Sequence, residues 1–240
     1  MEDKNKEKEL QKQLEQEVET RETKKMRKRF TKVQGIALLA ITLFLSTGGG
    51  LALGNFYFWD SAESNRINEQ LDYYQERVRL SPNSLPDRIV LGYTYYLKGD
   101  NNRAVSEFNY VLDQDENYYD AYYNLGLVYL DEEKYDNALS MFNKTVQIAP
   151  KDYKGHFQMG VTYRHMGMDD EALESLVEAN LIFPANSDII YEIGAVAEAK
   201  EEYQSAAEIY KDALQYDPLF EKALVALERL EDNELKEVGE

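Results

Sequence analysis

Cysteine is absent from this chain of 240 residues. That excludes a disulfide framework, a thiolate metal site and a thiol nucleophile. Histidine is nearly absent, with His156 and His165 as the two in the chain. Their separation is nine positions, whereas two ligands on one helical face need a spacing of three or four. There is no glycine-rich phosphate loop, Ser-His-Asp arrangement or metal-ligand signature. Arg164 and His165 do fall near Asp169, Asp170 and Glu171. Acidic residues at the start of a helix complement its dipole, so a polar turn is the simpler account. The chain is expected to work without catalysis, cofactor or metal.

Positive charge is also scarce. There are 27 Lys+Arg against 45 Asp+Glu, for a net charge of −18. The imbalance is uneven: residues 1–32 carry 11 basic and 8 acidic side chains, and residues 33–240 carry 16 and 37. A body that acidic repels nucleic acid and anionic lipid, which argues against nucleic-acid binding. Residues 1–32 are mostly Glu, Lys and Gln, with a thin stripe of Leu10, Leu14 and Val18. That stripe is too short for a coiled coil, and a solvated, partly helical tail is expected.

One long apolar run interrupts this polarity. From Gly35 to Phe58 no side chain carries a charge. At about 1.5 Å per residue a helix of that extent would be roughly 36 Å long, against about 30 Å for a hydrocarbon core. Lys24, Lys25, Arg27, Lys28, Arg29 and Lys32 precede it, and Phe56, Tyr57, Phe58 and Trp59 close it. Basic residues favour the cytoplasmic flank and aromatic rings the interface. The expectation is a single-pass cell-membrane anchor with the N-terminus cytoplasmic and the rest extracytoplasmic. A cleaved signal peptide is the rival, since Ala52-Leu53-Gly54 has the small-x-small form. Ser46, Gly50 and Gly54 repeat at i, i+4, so two such helices could approach closely as a homodimer.

The remainder is periodic. Gly92, Gly126, Gly160 and Gly194 recur at one fixed interval, preceded by Leu91, Leu125, Met159 and Ile193. Ala104, Ala138, Ala172 and Ala206 each follow a glycine by twelve positions. Tyr95, Tyr129, Tyr163 and Ala197 share the period, as do Phe108, Phe142, Leu176 and Tyr210, then Val111, Thr145, Ala179 and Ala213. Pro82, Pro150, Pro184 and Pro218 lie on the same lattice. A fixed period of this length marks a repeat array. Small residues allow two helices to press together, apolar residues at i, i+3 and i+4 make one buried stripe, and proline punctuates. Gly99 and Gly167 mark the turn within a helix pair.

The pattern resembles the tetratricopeptide repeat (TPR) family, whose unit of about 34 residues runs large residue, leucine, glycine and tyrosine, then alanine, phenylalanine, alanine and proline. The resemblance covers residues 85–218. The family's tryptophan is replaced by Arg88, Tyr122, His156 and Ile190, and unit one ends in Glu116 where proline is expected. The implied fold is all-α, a TPR superhelix: an α-solenoid of four helix pairs plus capping helices, after a single N-terminal transmembrane helix. The expected divisions are a charged tail (1–32), the transmembrane helix (33–59), a linking helix and partial repeat (60–84), units at 85–118, 119–152, 153–186 and 187–218, and a capping helix and tail (219–240). In the cap, Leu224 and Leu227 are expected to face the array.

The resemblance also implies a concave face lined by the first helix of each pair. Its rows are Ile89, Tyr123, Phe157 and Tyr191, then Tyr93, Leu127, Val161 and Ala195, then Tyr96, Leu130, Arg164 and Glu198. Each ring is either packing against neighbouring helices or an anchor for a protein or peptide ligand. In the second case Tyr96, Tyr123, Phe157 and Tyr191 hold the partner and Arg164 selects a carboxylate on it. The Asn-Lys clamp of some TPR proteins is not formed, because Asn124 lacks the lysines and arginine around it. The expected function is a membrane-anchored scaffold that binds protein partners. An assembly factor for an envelope complex (cytochrome maturation, pilus or cell-wall machinery) and a self-associating structural anchor are the alternatives.

Overall fold

The computed structural model describes residues 60–238. The charged tail, the apolar run and the Ser46, Gly50, Gly54 stripe lie outside the described residues. The chain divides into two units, Met1–Arg66 and Ile67–Glu240. Of the first, only the opening of a helix is described, and the second holds the repeats.

The described residues form helices and no strands. Helix α1 (Asp60–Leu80) is followed by four pairs: α2 (Leu85–Leu97) with α3 (Asn101–Gln114), α4 (Tyr119–Asp131) with α5 (Tyr135–Ile148), α6 (Tyr153–His165) with α7 (Asp169–Ile182), and α8 (Ser187–Ala199) with α9 (Tyr203–Tyr216). Helix α10 (Glu221–Val238) closes the stack. None of the described helices is long and apolar enough to cross a membrane.

Each pair is built on one close approach. A Cβ added to Gly92 would lie 2.6 Å from the Phe108 ring, one on Gly160 2.5 Å from Leu176, and one on Gly194 2.7 Å from Tyr210. At Gly126 the Phe142 ring is closer still. The large partner of each glycine is fully buried, as are Ala104, Ala138, Ala172 and Ala206. The second helix of a pair thus inserts a large side chain into the space where the first has none.

The turns within pairs follow the lattice beyond its glycines. Gly99, Glu133, Gly167 and Glu201 all have positive φ, at 77°, 58°, 71° and 62°. In each turn this residue donates to a carbonyl three positions back, and its successor donates to one five back. In the first pair these are Gly99 N to Tyr96 O at 2.8 Å and Asp100 N to Tyr95 O at 2.9 Å. This paired C-terminal hydrogen bonding needs a left-handed residue, which glycine adopts without strain and glutamate does not. The backbone geometry is therefore common to all four units although only two carry glycine.

The ends are closed differently. Leu71 is buried on α1, and Tyr74 and Val78 pack beside it on the same core. Gln75 donates to the Tyr95 hydroxyl at 2.9 Å, and Arg77 pairs with Asp87 at 2.8 Å. At the other end Ala223, Ala226 and Leu230 form the inward face of α10. Leu227 is half-buried, but Leu224 is turned outward with 44% exposure, which corrects the expectation for the cap. The two alanines let α10 approach α9 closely, and that contact sets the rotation of the helix.

Gly126→Ala is expected to destabilise the fold by about 1–3 kcal/mol, because overpacking against Phe142 outweighs the gain in helix propensity. Urea unfolding followed by circular dichroism measures it. Glu201→Gly is expected to raise stability by roughly 0.5 kcal/mol, since relief of the left-handed strain exceeds the entropy that glycine adds to the unfolded chain. The same titration reads the opposite sign of shift.

Candidate partner-binding cleft

Helix α2 lies against α4, and α6 against α8, so first helices of successive pairs are neighbours. Their three expected rows have different fates. Ile89 is buried with 9% exposure in the core that holds Leu71, Leu91 and Tyr95. It is a packing residue and not part of an open face. Tyr123 is half-buried, stacked on Tyr119 with ring centroids 6.1 Å apart and tilted against Phe142 at 6.1 Å. Phe157 packs on Ala172, Leu176 and Val196. Tyr191 stacks on Tyr210 at 5.3 Å and meets the edge of Phe220 at 5.9 Å. Tyr123, Phe157 and Tyr191 of the first row thus lie against the second helices of their pairs.

Residues of the second and third rows meet in an open cleft. Tyr96 of α2, Leu127, Leu130 and Asp131 of α4, Glu133 of the following turn, Tyr135 of α5 and His165 of α6 line an open cleft of about 320 Å³. Tyr93, 38% exposed, extends it with its ring 6.1 Å from that of Tyr96. Tyr135 and His165 stack nearly parallel, 6.1 Å apart. Burial, with the nearby Asp131 carboxylate second, raises the pKa of the Tyr96 phenol. That phenol therefore remains a neutral hydrogen-bonding group. Val161 is half-buried on α6, outside the cleft lining.

Two charged residues of the third row are committed internally. Arg164 Nε donates to Glu192 at 2.8 Å, and Glu192 is buried. Glu198 accepts hydrogen bonds from Arg229 of α10, the shortest at 2.7 Å, and one from the Tyr210 hydroxyl at 2.7 Å. Burial, then the hydrogen bond to Glu198, pushes the Tyr210 pKa upward. Arg164 therefore presents a largely neutralised charge, and Glu198 fastens the cap.

Asp131, Glu133, Tyr135 and His165 stand outside the expected rows. A signal for them exists in the period: Asp131 and His165 share a lattice position with Leu97 and Ala199, one residue past the third row, and Glu133 shares that of Gly99. Nothing local marks them, because they meet only when units one to three are stacked.

This architecture is a TPR-like helical solenoid. The tetratricopeptide repeat model matches residues 119–152, the second unit, which supports assignment of the repeats to that family. Among solved structures, the chain is similar to TTC0263, a thermophilic TPR protein of Thermus thermophilus, with a TM-score of 0.61 at 18% identity over 71% of this chain and 93% of that one. It is similar to MamA from Desulfovibrio magneticus RS-1, with a TM-score of 0.58 at 23% identity over 71% and 96%. It is also similar to YrrB, described as a TPR protein with an unusual peptide-binding site, with a TM-score of 0.55 at 25% identity over 69% and 85%. The human protein O-mannosyl-transferase TMTC1 is 30% identical over 195 residues, 78% of this chain. The chain spans 22% of the length of that curated relative.

Arg164→Met is expected to cost roughly 2 kcal/mol by leaving the buried Glu192 without its cation. Adding Glu192→Gln should recover part of that loss, and thermal unfolding of the single and double variants measures the coupling.

Proposed function

We propose that this chain is a protein-interaction scaffold that holds an extended or helical segment of a partner in the cleft between α2, α4 and α6. One observation carries the reading: Tyr96, Leu127 and Leu130, from two successive units, converge on one open cleft. Apolar and aromatic groups on rigid helices offer contact area at low entropic cost. The peptide-binding site in the description of YrrB lends support, at 25% identity. The role is one of binding without chemistry, with His165 lying against Tyr135. The mannosyl transfer in the name of the human relative attaches to a protein of which this chain spans 22%, and the proposed role does not include it.

The scaffold is tethered by the uncharged run of residues 35–58, with the basic flank cytoplasmic and the solenoid extracytoplasmic. The charge asymmetry around the run supports that orientation. The role of assembly factor for an envelope complex fits the same arrangement.

A photoreactive residue at position 130 is expected to crosslink a partner protein in membranes, whereas one at Leu181, 70% exposed on α7, should not. Mass spectrometry of the adducts reads the result. Equal labelling from both positions overturns the cleft, and self-crosslinks alone point to a structural anchor.

A further inference from the structure

The cleft carries a charge preference. We propose that its occupant is a cationic-apolar segment, in which a large apolar side chain is flanked within one or two residues by Lys or Arg. The inference rests on the proposed binding role and adds the chemistry of the partner.

The apolar part of the occupant follows from Tyr96, Leu127 and Leu130, which are half-buried and line the cleft. The cationic part follows from the pattern of charges already paired. Lys134 at the adjoining turn pairs with Glu132 at 2.9 Å, and Arg164 pairs with Glu192 at 2.8 Å. Among the described residues, Asp131 and Glu133 have neither an ion-pair partner nor a side-chain hydrogen bond, and both are exposed on the cleft rim. These two cations are thus engaged by carboxylates outside the lining, and two carboxylates remain for a ligand. The background field has the same sign, with 16 basic and 37 acidic side chains in residues 33–240. Such a field speeds the approach of a cation and opposes an acidic segment. This choice is opposite to the one expected from Arg164 alone, because Glu192 takes that guanidinium.

A random peptide library displayed on phage, selected on the full chain in detergent, tests the proposal. Enriched peptides should combine Leu, Phe or similar residues with adjacent Lys or Arg. Asp131→Lys with Glu133→Lys alters two exposed residues and should leave the circular dichroism spectrum unchanged. It should weaken those peptides about tenfold and flatten the salt dependence of binding. Enrichment of acidic or uncharged peptides that lose affinity on Leu130→Ala overturns the charge preference and leaves the cleft reading intact. Peptides indifferent to both the charge reversal and Leu130→Ala, or no enrichment at all, overturn both. Dimers in light scattering that the charge reversal converts to monomers assign the cleft to a second copy and also overturn the proposal.

Discussion

A large side chain seated over a glycine is the contact on which this structure depends. Phe108, Phe142, Leu176 and Tyr210 each occupy space that a Cβ on the facing helix would fill. Because packed interiors have little free volume, that contact sets the distance between the two helices of a pair. Its repetition at a constant interval makes four like pairs. The turn geometry is then constrained, since two helices this close need a tight reversal. The reversal demands a left-handed residue even where the chain supplies Glu133 or Glu201.

The same contact decides which residues remain open. Tyr123 and Tyr191 lie on Phe142 and Tyr210, the residues that fill the glycine gaps, so much of their area is already committed to packing. Ile89 is buried in the core that also holds Leu71 of α1. Tyr96, Leu127 and Leu130 of units one and two line an open cleft instead. Charge is sorted in the same way. Arg164 and Arg229 are tied to Glu192 and Glu198, which bind neighbouring helices together, while Asp131 and Glu133 stay on the rim. The shape and the sign of the cleft are thus remainders after packing and pairing are satisfied.

Several features are legible in the sequence because they are local. The helix pairs announce themselves through Gly-to-Phe spacing, and Gly99 and Gly167 identify two of the turns. The cap departs from its pattern at Leu224, whose hydrophobicity suggests an inward role. The smaller Ala223 and Ala226 take the contact instead, since they allow α10 to come closer. Asp131 escapes notice, and His165 is not read as part of the cleft, because a row of Leu97, Asp131, His165 and Ala199 has no common chemistry. Their meaning depends on which neighbours each one finds.

The sequence by itself determined the repeat, its phase, the close approach within each pair and the acidity of the body. These depend on spacing along the chain, because a helix converts spacing into a face. Only the tertiary structure decided which aromatic residues are packing and which remain open, and which charges are neutralised. Arg164 meets Glu192 across 28 positions, and Arg229 meets Glu198 across 31. Such pairings depend on how separate helices are rotated against one another. That rotation is set by the sizes of the side chains between them, so it appears only once the helices are packed.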